Sequence, residues 1–324
     1  MKKNKMLAFA FIMILAAFLA ACGGQKGGGD SEGGETDALT LLTGGTGGTY
    51  YPLGGEIAGI MQEHTDYTVS SITSGASTEN MNKVQSGEGH LALVQTDIAS
   101  YGVEGTQMFE EKLDKVTAVG ALYPETIQIV TTPDSGIESV EDLKGKVVSV
   151  GDTGSGTLEN AKQILEVHGL TLEDLDAQYL PFDESTDSIQ DGTIDAAFVT
   201  AGAPTASVEQ LSVQSDVVIV PIANDKIDAL IEKYPYYTTE VIPAGTYGLA
   251  EDTQTVAVLA MLIANGDLSE DQVYELTKAF FDNEGDITHD KGEKISAEAA
   301  VEGVGIDFHP GAKKYFEEKG LLGE

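Results

Sequence analysis

Residues 38–58, ALTLLTGGTGGTYYPLGGEIA, decide the fold. A short apolar strand over residues 38–43 runs into a loop of glycine and threonine, and a helix opens straight after it. Pro52 falls in the first helical turn, where its missing N–H leaves no bond unmade. Leu53, Ile57, Ile60 and Met61 then recur on one helical face. A strand, a tight glycine loop and an amphipathic helix together make one unit of an α/β protein.

Working outward, the unit repeats. Strands are expected over residues 67–72, 90–95, 127–132, 146–150, 194–200 and 217–221, with an apolar segment at 256–264 and a last helix from near Pro310 to Lys319-Gly320. Most of these strands lead into a helix, which predicts parallel-type sheets flanked by helices. The chain has 324 residues, more than one ordinary core holds, so two α/β lobes are expected. Lobe I takes residues 39–125 plus 241–324, and lobe II takes 126–240. The return to lobe I follows from the third part having too few strands for a sheet of its own.

Four loops rich in glycine or hydroxyls follow strands and open helices: residues 44–51, 74–78, 152–157 and 200–204. Beyond the carboxyl ends of strands, helix N-termini offer unpaired N–H groups and a partial positive charge. Any one such loop could be a capped turn. Four of them over two lobes point to a ligand cleft between the lobes. Tyr50, Tyr51, Tyr123 and Tyr247 lie near strand ends and suit a core or a ligand wall equally.

Other chemistry is weakly supported. A dinucleotide fingerprint would need glycine where Tyr50 stands, and no Gly-Lys-Ser/Thr ending marks a P-loop. None of the five histidines has metal-ligand spacing, so no metal and no cofactor is expected. Ser155 lies in Gly-Ser-Gly and not in a Gly-x-Ser-x-Gly elbow, so no catalytic residue is assigned. The formal charge is −35, and all 18 basic residues are lysine. Such acidity repels phosphate backbones and argues against nucleic acid. The absence of arginine removes the usual bidentate grip on a carboxylate.

The first residues read as an address. Lys2, Lys3 and Lys5 precede the apolar run MLAFAFIMILAAFLAA at residues 6–21. This is the pattern of a signal peptide, 1–21, and it is short for a membrane span. It ends Leu19-Ala20-Ala21-Cys22, which resembles the lipobox of bacterial lipoproteins. Cys22 is the only cysteine, so it has no disulfide partner in the chain and is the expected lipidation site. Residues 22–38 then form a polar, glycine-rich tether that would hold the body on the extracytoplasmic face of the cytoplasmic membrane.

Five motifs in order carry a family resemblance: TGGTGGTYYPLGGEIA (43–58), SGASTENMNKVQSGEGHLALVQTDIA (74–99), GDTGSGTLENA (151–161), DAAFVTAGAPT (195–205) and GIDFHPGAKKYFEEKG (305–320). Together they resemble the TAXI family, the solute-binding proteins of tripartite ATP-independent periplasmic (TRAP) transporters. The resemblance implies a two-lobed fold like the type II periplasmic binding proteins. It implies a small carboxylate or amino-acid ligand, glutamate- or glutamine-like, and a permease with fused membrane subunits driven by an ion gradient. It implies ligand contacts at Thr49, Tyr50 and Tyr51, at Ser74 and Ser77, at Gln95 and Asp97, at Ser155, Gly156 and Thr157, and at Gly202 and Ala203, with Tyr123 added from its strand-end position. The arginine that grips the carboxylate in the dicarboxylate branch has no counterpart here. A sensory lipoprotein, or an extracytoplasmic hydrolase or transferase, are the alternative functions.

Overall fold

The computed structural model describes residues 37–323. The leader at 1–21 and Cys22 lie outside the described residues. The tether expected over 22–38 gives way to structure at its end, because the first strand, β1 (Ala38–Leu42), begins at Ala38.

Six strands fall where the apolar runs predict. They are β1, β2 (Thr68–Ile72), β3 (Leu91–Gln95), β5 (Val147–Ser149), β7 (Ala196–Ala201) and β8 (Val218–Ile219). Two strands are much longer than expected: β4 (Val116–Thr131) and β10 (Thr253–Asn265). Gly120 and Pro124 read as breaks in the sequence of β4. The strand survives because its pairing with β10 shifts register there, between Leu259 and Met261 and between Leu262 and Ile263. A bulge tolerates a proline that cannot donate to the ladder. Two further strands, β6 (Asp176–Gln178) and β9 (Thr238–Ile242), are too short or too polar to have been expected.

The sheet differs from the two parallel-type sheets predicted. It is one ten-stranded sheet with the order β2-β1-β3-β10-β4-β7-β5-β6, with β9 on β10 and β8 on β4. The outer trios β2-β1-β3 and β6-β5-β7 are parallel. Between them β10 and β4 run antiparallel to each other and to their neighbours. The parallel trios are the strand–helix units read from sequence. The antiparallel centre comes from the two segments that cross between the halves.

Buried side chains divide accordingly. One half packs Leu41, Leu53, Ile57, Leu93 and Leu262 with Phe280 and Phe316. The other packs Ile127, Val148, Ile164, Phe198 and Leu230 with Val256 and Val258. Ile242 and Tyr247 also belong to this second half. Residues 242–258 therefore pack away from the lobe I assigned to 241–324, and the chain re-enters the first half within β10. The cause is β9, which pairs with the first residues of β10 and holds them in the second half.

Candidate functional site

The helices after the parallel strands are α1 (Tyr50–Glu63), α2 (Ser77–Ser86), α3 (Thr96–Glu104), α4 (Thr157–Val167), α5 (Phe182–Gln190) and α6 (Ala206–Gln214). They start at the carboxyl ends of β1, β2, β3, β5, β6 and β7. Those ends face one cavity of about 110 Å3. Its wall holds Thr49 and Tyr50, Ser74 and Ser77, Gln95, Ser155, Gly156 and Thr157. The structure brings these eight of the expected contact residues together on one wall.

The N-termini of α1, α2 and α4 all open on this cavity. The first-turn N–H groups of a helix have no partner inside it. No protein acceptor takes those of Ser77, Gly156 or Thr157 among the described residues. Each N-terminus also carries roughly half a positive charge. The arrangement suits an anion, although no lysine lies among the described wall residues.

Several hydroxyls are already employed. Ser155 Oγ donates to Asp152 O at 2.7 Å and accepts from Leu158 N at 3.4 Å. Ser74 Oγ donates to Thr43 O at 3.0 Å and accepts from Ala76 N at 3.1 Å. Ser77 Oγ accepts from Gln95 N at 3.1 Å. These bonds shape the loops, and main-chain N–H groups are among the donors left free on the wall. Ala76 lies between Ser74 and Ser77 with φ of 69° and ψ of −145°, a backbone region that favours glycine.

Five expected contacts are not on the wall. Tyr51 is 45% exposed, because it stands next to Tyr50 on α1 and adjacent helical positions face about 100° apart. Asp97 is fully buried behind the site, and Asn160 Nδ2 donates to its Oδ2 at 3.0 Å. Burial pushes its carboxyl up to about 7. Tyr123 is fully buried against Glu125. Gly202 and Ala203 meet the other half: Gly202 N donates to Thr49 Oγ1 at 3.1 Å, and Lys291 Nζ donates to Ala203 O.

Sequence reasoning missed Glu125, Pro181 and Phe182, which line the cavity; Asp152, Thr200 and Ala201 also line it, within the loops expected at 152–157 and 200–204, though they were not singled out as contacts. Glu125 is the most informative. It is 2% exposed, and the Tyr50 hydroxyl donates to its Oε2 at 2.8 Å. Burial pushes its carboxyl up to about 8, and the charge of Asp97 adds to the rise. A lone acid inside the apolar run ALYPETIQIV was the available signal, since glutamate is rarely buried without a partner.

Bonds between the halves ring the site. Thr78 N and Glu79 N donate to Gly154 O at 3.0 and 3.1 Å. Thr46 Oγ1 donates to Asp183 Oδ2 at 3.1 Å, and Ser207 N donates to Gly47 O at 3.3 Å. Gln163 Nε2 donates to the Tyr101 hydroxyl at 3.1 Å. The halves are closed on each other around the cavity.

The sheet order, the paired parallel trios and the central cavity define the periplasmic-binding-protein type of α/β fold. Residues 41–320 match the NMT1-like family, and the chain belongs to it. Solved structures of the same fold include the alkanesulfonate-binding protein SsuA from Xanthomonas axonopodis pv. citri bound to MOPS. It is 14% identical with a TM-score of 0.51, covering 87% of this chain and 84% of that one. MatC from Rhodopseudomonas palustris with bound malate is 13% identical with a TM-score of 0.54, covering 79% and 86%. PhnD1 from Prochlorococcus marinus in complex with methylphosphonate is 10% identical with a TM-score of 0.53, covering 88% and 99%. No helix among the described residues is long and apolar enough to cross a membrane.

Proposed function

We propose that this chain is an extracytoplasmic solute-binding receptor for a small organic acid or amino acid, and not an enzyme. The convergence of three helix N-termini on one cavity between the halves carries the reading. Malate and methylphosphonate, bound by neighbours of the same fold, are small anions of the kind such a cavity suits. The main-chain N–H groups of Ser77, Gly156 and Thr157 hold the ligand's carboxylate. A hydrogen bond to a charged group contributes about 1.5–3 kcal/mol, so a few suffice without arginine. The wall residues Thr49, Tyr50, Gln95 and Glu125 read the rest of the ligand.

The two halves of the sheet act as lobes that close on the solute, with the bends in the middle of β4 and β10. A lipid on Cys22 anchors the receptor outside the membrane. The five TAXI-like motifs support delivery to a TRAP permease with fused membrane subunits. Native mass spectrometry of the gently purified protein, followed by calorimetric titration with C3–C6 monocarboxylates, hydroxy acids, dicarboxylates and α-amino acids, tests the reading. A carboxylate bound with micromolar or better affinity is expected. Silence across the whole panel would refute it.

A further inference from the structure

Glu125 is a carboxyl on the cavity wall with no cation to balance it. The chain contains no arginine, and no lysine is on the described wall. The groups that act on Glu125 are Tyr50 from α1, Tyr123 from its own strand and Asp97 from α3, every one an acid. Tyr50 donates to Oε2 at 2.8 Å, and the residue is 2% exposed. An ionised carboxylate there would be a buried charge with two phenols and partial helix charges near it but no full cation, which is disfavoured.

Two ligand arrangements could answer this. A ligand ammonium could pair with ionised Glu125. It would then share a cavity of about 110 Å3 with three helix N-termini, whose partial positive charges oppose a cation. The alternative keeps Glu125 neutral and uses its O–H. We propose that Glu125 is a specificity-determining residue that donates a hydrogen bond, as a carboxylic acid, to an acceptor oxygen on the bound ligand. The proposal rests on the receptor reading above. It names the ligand class as a carboxylate whose second polar group is a hydroxyl, a carbonyl or another carboxylate, and not an ammonium. The proton stays on Glu125 and no bond is made or broken. The rise of Glu125 to about 8 agrees with a donor at neutral pH.

The test measures affinity and proton linkage together. Calorimetric titrations with the same carboxylate and amino-acid panel are run from pH 6 to 9, in buffers of different ionisation enthalpy. For the wild type, affinity for the best-bound acid should be level below pH 7 and fall by up to about tenfold per unit above pH 8, with proton uptake there. Glu125→Gln, which keeps a neutral donor of the same shape, should stay within about threefold at pH 7 and lose the pH dependence. Glu125→Ala should lose about tenfold to a hundredfold. Asp97→Asn removes a neighbouring charge, so the fall should begin at lower pH but persist. Proton release on binding an α-amino acid, with a thirtyfold or greater loss in Glu125→Gln, would overturn the donor role while leaving the receptor reading intact. So would unchanged affinity in both Glu125 variants. Failure of every carboxylate and amino acid to bind the wild type overturns the receptor reading, and this inference with it.

Discussion

Gly47→Ala should weaken ligand binding without touching the ligand. Gly47 lies in the loop before α1, outside the cavity wall, at the contact between the halves. A Cβ built there would stand 2.8 Å from Asp183 N, 3.1 Å from Asp183 Cβ and 3.2 Å from Ser207 Cβ. Two of the three atoms belong to Asp183, at the start of α5, and none is the end of a flexible side chain. Relief therefore requires the halves to part by several tenths of an ångström. That movement strains Ser207 N to Gly47 O, already 3.3 Å, and Thr46 Oγ1 to Asp183, at 3.1 Å. Overpacking costs about 1–3 kcal/mol, and a weakened hydrogen bond about 0.5–1.5 kcal/mol. Roughly 2 kcal/mol charged to the closed state is about a thirtyfold loss of affinity. The open state has no such contact, so the ligand-free melting temperature should hardly move. Calorimetric titration, thermal melts and small-angle scattering with and without ligand provide the assay. Wild-type affinity in the variant would refute closure through this contact. A large fall in the ligand-free melting temperature would show that the halves are permanently docked.

Cys22→Ser should abolish labelling of the protein by a fatty-acid analogue in cells, and equal labelling of both forms would exclude the anchor. Ala76→Gly should raise unfolding stability in urea by up to about 2.5 kcal/mol, as strain of about 1–3 kcal/mol is relieved against a glycine entropy cost of about 0.5–1; a loss of stability would show the backbone there is unstrained. The folded-state values of Asp97 and Glu125, about 7 and about 8, lie above the unfolded carboxylate range. The folded protein then holds more protons than the unfolded chain, so stability is highest near pH 4–5 and falls as pH rises toward 8, by at most about 1.4 kcal/mol per unit per group. Urea unfolding of the wild type and Asp97→Asn/Glu125→Gln at pH 5 and pH 8 checks this: the double variant should lose less stability between the two, and parallel losses would show that neither group holds its proton.

The legible part of the site was the part built from loops. Glycine and hydroxyl residues between an apolar strand and a helix announce a turn that presents main-chain N–H groups. Residues 44–51, 74–78 and 152–157 supply Tyr50, Ser77, Gly156 and Thr157 to the wall in just this way. Glu125 was missed because its signal is the opposite kind: a single polar residue inside a strand, in a segment that Pro124 made look broken. Pro181 and Phe182 were missed because β6 has three residues and leaves no periodicity to read. Tyr51 and Asp97 were placed on the wall because motif membership does not say which way a side chain faces. Helix geometry turns Tyr51 out, and Asn160 of the other half draws Asp97 away from the cavity.

The charge pattern explains how a chain of formal charge −35 could capture an anion with no arginine. Charges on the surface are screened within about 8 Å in physiological salt, so the distant acidic exterior acts weakly on the cavity between the halves. Inside, α1 and α2 pack on the strands of one half and α4 on those of the other. Closing without a ligand would bring three partially positive helix ends toward one small space, offset only in part by Glu79 and Glu159 in two of their first turns and by Asp152 on the wall. A carboxylate in that space interacts favourably with all three at once, and it can do so fully only when the halves are together. The ligand thus has the differential affinity for the closed form that any ligand-driven closure requires. Glu125 complements this arrangement as a neutral acid. An ionised carboxylate on the same wall would compete with the ligand for the helix ends and stabilise closure of the empty receptor. Keeping the proton on Glu125 removes one competitor with the ligand for those helix ends.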